Sequence, residues 1–176
     1  MANINAPHGA RLIGRTDSGL GLPSVNPYQK AASHGTAIFA GDIVNAVADT
    51  TIEPGGTPGT TIFAGVSLNH GAASKLTTHY VVDDPEAIFE MQASGSIVAA
   101  DLNLNANFLF TTAGSALTKQ SGHMIDHSTK ATSAGLDARL LRKYALPVDI
   151  NDWGSYVILE IKFNARHIRR AGTAGV

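Results

Sequence analysis

From Thr36 onward the chain is cut by glycine, proline and small polar residues into short β-prone runs, none holding a 3.6-residue apolar period long enough for an amphipathic helix. The runs cover residues 36–40, 43–48, 60–68, 77–82, 86–92, 107–112, 139–144 and 155–165. In the last, Val157, Leu159, Ile161 and Phe163 alternate with Tyr156, Ile158, Glu160, Lys162 and Asn164, the two-residue period of a strand with one buried face. In 86–92, Ala87, Phe89 and Met91 share one face, and Glu86, Ile88, Glu90 and Gln92 the other. The breaks are chemically defined. Pro54-Gly55-Gly56-Thr57-Pro58-Gly59 reads as a loop joining two strands, and in Asp83-Asp84-Pro85 the proline drives its predecessor out of the helical region. Helical turns are expected only at 99–105 and 133–138, and no internal repeat is present. The expected fold class is all-β, an antiparallel β-barrel or a jelly-roll-like sandwich.

At 176 residues the chain is sized for one domain, or one domain with an arm. Residues 1–35 keep no regular period and are interrupted by Pro7, Gly9, Gly14, Gly19, Gly21, Pro23 and Pro27, so they read as an extended N-terminal arm. Ile4, Leu12, Ile13, Leu20, Leu22, Val25 and Tyr28 make that arm too apolar for a plain spacer. Residues 36–176 then form a single β domain, and the Ser/Thr/Gly-rich stretch 113–136 reads as a polar excursion that leans on a neighbour. On this reading residues 1–28 can be deleted without unfolding the domain.

Cysteine is absent, which excludes disulfides and thiolate chemistry and leaves core packing and assembly as the sources of stability. The net charge of -1 hides a segregation: residues 1–40 carry +2, residues 41–138 carry -7 and residues 139–176 carry +4. Basic ends around an acidic middle suit docking on a partly acidic partner or on the middle of a neighbouring copy. No apolar run is long enough to cross a bilayer and the opening residues have neither a basic nor an apolar region, so no membrane partner and synthesis in the cytosol are expected. Interleaved aromatics are missing from the basic carboxyl end, which argues against a nucleic-acid partner.

Signals for catalysis are weak. His123 and His127 stand four apart beside Asp126, the spacing of two zinc ligands on a helix, but the glutamate of H-E-x-x-H is lacking and Gly122 disfavours a helix. Gly95-Ser96 and Gly114-Ser115 lack the strand and helix that flank a nucleophile elbow. The glycines at 55–59 lack the lysine of a phosphate loop. Glu86 and Glu90 share a strand face, as a glycosidase pair or a calcium site needs, yet Trp153 is the sole tryptophan to serve a sugar. The expectation is a non-enzymatic protein with no catalytic residue, no metal and no cofactor.

The opening Met1 to Gly9, then Gly41-Asp42-Ile43-Val44, Ala64-Gly65-Val66 and above all Val82-Asp83-Asp84-Pro85-Glu86-Ala87-Ile88-Phe89-Glu90-Met91-Gln92, resemble small virion structural proteins of tailed bacteriophages. Ala138-Arg139-Leu140-Leu141 and Leu159-Glu160-Ile161-Lys162-Phe163-Asn164 are similar to the same group. The resemblance implies a capsid cement, or decoration, protein on the virion exterior. It would bind the phage major capsid protein at capsomer junctions and associate with itself, as a trimer in the first instance or a dimer. Combined with the arm, this points to Ile4, Leu12, Ile13, Leu20, Leu22 and Tyr28 as apolar contacts and to Arg11, Arg15, Arg166, Arg169 and Arg170 as polar ones, the other reading of these residues being an arm folded back on its own barrel. A carbohydrate-binding or adhesive β module is the alternative.

Overall fold

A computed structural model of the chain describes residues 3–17, 22–47, 51–146 and 150–170. In chain order the strands are Arg11–Arg15 (β1), Val25–Lys30 (β2), Ile43–Ala46 (β3), Ile52–Pro54 (β4), Phe63–Ser67 (β5), Thr77–Val82 (β6) and Ala87–Gln92 (β7). Ser96–Ile97 (β8), Asn105–Ala106 (β9), Phe108–Leu109 (β10), Met124–Ile125 (β11), Ala138–Lys143 (β12), Gly154–Ser155 (β13) and Ile158–Phe163 (β14) follow. Short 3-10 turns occupy Ala99–Asp101 and His127–Thr129. The first of these falls inside an expected helical turn, whereas the second lies ahead of the one expected at 133–138.

Two antiparallel five-stranded sheets carry the fold, ordered β1-β7-β14-β12-β9 and β2-β6-β5-β3-β4. Their facing sides form one core, in which Ile43, Phe63, Val66 and Val82 of the second sheet meet Phe89, Met91, Leu140, Leu159, Ile161 and Phe163 of the first. Phe163 stands edge-on to both Phe89 and Phe108, an arrangement that matches the negative ring face with a positive edge. This is sandwich packing, and neither sheet closes into a barrel. The second sheet curls until its edge strand β2 meets the residue ahead of β4 at one isolated bridge, Gln29 to Thr51, without a closing ladder. Ile38, Val44, Ile52, Ala64 and Val81 fill the concave side of that curl as a smaller cluster. Being covered on both faces, β5 is buried at every residue, so it lacks the alternation that marks a half-exposed strand.

The arm is where the structure departs most from expectation. Residues 11–15 pair with β7 from Arg11 opposite Glu90 to Arg15 opposite Ala87, and residues 25–30 pair with β6 along their whole length. Each half of the supposed arm is therefore an edge strand of the chain's own sandwich, one in each sheet. Apolar residues spaced by prolines fit this role because an edge strand tolerates Pro27. The stretch 113–136 is likewise held by its own chain: Ala40 bridges Gln120, Ala93 bridges Ile125, and Asn105 bridges Ala131. Close fits replace the missing periodicity there, with Gly114 packed on the Phe39 ring and Gly122 on the carbonyls of Thr112 and Ala113.

Candidate interaction surface

The densest acidic group in the sequence is a binding site for the chain's own ends. Asp83, wholly buried, accepts from the Ser24 hydroxyl at 2.9 Å, the Asn26 amide at 3.0 Å and the Tyr28 hydroxyl at 2.8 Å. Arg169 Nη2 completes the set at 2.7 Å. Burial, followed by the bond to Asp83, pushes the Tyr28 hydroxyl up to about 12, which keeps it a donor. Asp84 takes Arg15 at 2.8 Å and the backbone amides of Ser24 and Glu86. Glu86 is held below the usual carboxylate range first by the Thr16 hydroxyl and then by Lys162 and Arg170. The basic ends thus pair with the acidic 83–86 segment within one molecule, an intramolecular clasp that uses part of the charge segregation.

The expected contact residues divide accordingly. Arg15, Tyr28, Arg169 and Arg170 belong to the clasp. Arg166 donates to the carbonyls of Gly135 at 2.8 Å and Thr60 at 3.0 Å. Leu12 packs against the main core. Arg11 reaches Glu90 at 2.9 Å but leaves most of its side chain in solvent. Ile13 points outward at an irregularity in the β1 register, Ile4 is 80% exposed and Leu22 is 90% exposed. Leu20 lies outside the described residues.

Sequence reasoning missed the partners of Ile4. Asn3 donates to the carbonyls of Asp152 and Ser155 and accepts from the Asp152 amide, while Gln92 holds the backbone of Ile4 and Ala6. Ile4 therefore sits on a pinned backbone at the end of the molecule that also presents Ile150, Trp153 and, through the pairing of β8 with β13, Val98. A tryptophan inside the polar turn Asn151-Asp152-Trp153-Gly154 was the available signal. A second apolar area lies on the other sheet, where Pro27 stands opposite Tyr80 in register, beside exposed Val25 and Leu68.

The catalytic alternatives are dispersed. His123 and His127 are separated by strand β11 and so share no helical face; His123 lies beside Asp42 and His127 beside Ser94. Among the described residues, no group of three or more His, Asp or Glu side chains is placed to hold a metal ion. Ser67 and His79 are 2.9 Å apart, but the serine hydroxyl donates to the Asn69 carbonyl, so the imidazole is donor to Ser67 and not its base. Glu86 and Glu90 are each engaged by cations of the chain itself. No helix of the described residues is long and apolar enough to cross a membrane. No protein-family model, curated protein or solved structure matches the chain.

Proposed function

We propose that this chain is a structural virion protein, a cement protein bound to the outside of a tailed-phage head, where it associates with itself and with the major capsid protein. The observation that supports the reading is the apolar end: Ile4, Val98, Ile150 and Trp153 are exposed there, with the backbone of Ile4 held by Gln92 and the turn that carries Trp153 held by Asn3. Large apolar side chains presented on a preorganised backbone cost little ordering entropy on association, which is what an interface core requires. Copies on a shell then reinforce one another through avidity.

The test is sedimentation of the purified chain with undecorated heads, with light scattering to give its own oligomeric state. Saturable binding at a fixed ratio is expected, and Ile4→Asp and Leu22→Asp, both at exposed sites, should fold normally and bind about tenfold or more weakly. A wild-type chain that ignores heads, or variants that bind undiminished, would remove the proposal or its surface respectively.

A further inference from the structure

A recess of about 260 Å³ has a lining that includes Phe39, Asp42, Gly55, Phe110, Thr112 and His123. Asp42 is 2% exposed, and one carboxylate oxygen, Oδ2, accepts from the Phe39 amide at 2.7 Å. The other, Oδ1, is buried without a hydrogen-bond partner and stands 3.5 Å from His123 Nε2. An unpaired buried carboxylate oxygen is costly, and one placed in the lining of a recess is explained when something that enters the recess completes it.

The hydrogen bonds of the imidazole decide what that is. The Ile43 backbone amide donates to His123 Nδ1 at 3.1 Å, so Nδ1 carries the lone pair and Nε2 the proton. Burial pushes the imidazole below its ordinary value, so it is neutral at pH 7. The wall of the recess therefore holds one donor, Nε2–H, beside one acceptor, Oδ1, which an occupant reaches once the Asp42 carboxylate turns toward it. A transition metal would need the Nε2 lone pair, which this tautomer lacks. An ammonium or guanidinium has only donors and would face the imidazole N–H. Anions are disfavoured because, among the described residues, no lysine or arginine lines the recess and Asp42 does. A group that both donates and accepts satisfies the pair, and a hydroxyl does so with a single atom.

We infer that the recess binds a neutral saccharide by one terminal sugar ring, a ring hydroxyl accepting from His123 Nε2–H and donating to Asp42 Oδ1. The volume suits a single ring, Phe39 and Phe110 give it apolar wall for the C–H faces, and Thr112 adds a hydroxyl within the lining. The site is independent of head binding, and the experiment below is run on the free chain, so either can fail alone.

The test follows the backbone amide resonances of Phe39, Asp42, Ile43 and Gly55 while methyl glycosides of common hexoses and N-acetylhexosamines are added in the millimolar range, with propionamide as a non-sugar that also donates and accepts. At least one glycoside should move these four amides saturably. Asp42→Asn, which replaces the acceptor by a second donor, should weaken that response at least tenfold. Because Asp42 also holds the Phe39 amide, Thr111→Trp and Thr36→Trp serve as plugs at exposed lining positions and should abolish the response with the fold intact. Silence with every glycoside, a response that survives both plugs, or a response to propionamide alone each overturns the proposal.

Discussion

At the scale of single residues, two positions show how little freedom the sandwich leaves. Gly65 sits within β5 at φ +149°, and an added Cβ would lie 2.0 Å from the Val82 carbonyl oxygen. Gly65→Ala should therefore lower stability by about 2–4 kcal/mol, through both the clash and the backbone region it demands, read as a shifted denaturation midpoint at unchanged slope. Across the first sheet a ladder of charges runs from β1 to β12: Arg11 is opposite Glu90, Glu90 opposite Glu160, and Glu160 opposite Arg142. Two like charges on adjacent strands repel, and each arginine lies against the nearer carboxylate, Arg142 Nε at 2.6 Å from Glu160. Since Arg142 is mostly in solvent, Arg142→Ala should cost only about 1 kcal/mol. Glu160→Gln on that background should recover part of the loss. A double-mutant cycle with additive effects would show the ladder to be inert.

At the scale of elements, what the sequence displayed depended on how many faces of a strand are buried. Strand β14 was legible because Leu159, Ile161 and Phe163, with Val157 just ahead of the strand, fill the core while Ile158 and Lys162 stay half-exposed, and β6 matched its expected span. Strand β10 was expected over 107–112 but spans only Phe108–Leu109, since pairing with β11 is that short. Strands β1 and β2 were hidden because edge strands need no alternation sharp enough to survive a proline or a register shift. The same gap hid the clasp, which assembles Ser24, Asn26, Tyr28 and Arg169 from opposite ends of the chain around Asp83; spacing along a sequence carries no trace of that. Of the candidate surface, Ile4 and Leu22 were legible as apolar residues in a polar setting, whereas the company of Ile4 depends on the Asn3 bonds. The expectation that residues 1–28 are dispensable reverses. Deleting them removes an edge strand from each sheet and three donors from buried Asp83, so the truncated chain should show no cooperative unfolding transition by circular dichroism. A sharp transition in the truncated chain would restore the arm.

At the scale of the whole molecule, the fold holds most of its histidines as uncharged parts of the interior, and that sets its response to acid. His8, His79, His123 and His167 are all held below the ordinary histidine value, by burial first in each case. His167, wholly buried and flanked by Arg170 and Arg169, is lowered to about 4. The folded state keeps these rings neutral while the unfolded chain protonates them near pH 6.5, so the unfolded state binds more protons and gains as pH falls. Their contribution is complete above about pH 6.5 and is lost as pH drops from there toward the folded values; for His167 alone the loss approaches about 3 kcal/mol near pH 4. Asp137 acts in the opposite sense, because burial raises its carboxyl and lets the folded state take a proton first. It is a single group that starts from a lower ordinary value, and it offsets only the acid end of the window. Tm should therefore fall steadily between about pH 6.5 and 4. His167→Gln, neutral throughout, should flatten that slope even if it lowers Tm at pH 7. A Tm that holds level across the window, or a slope indifferent to the loss of His167, would mean that the interior histidines are hydrated in the native protein.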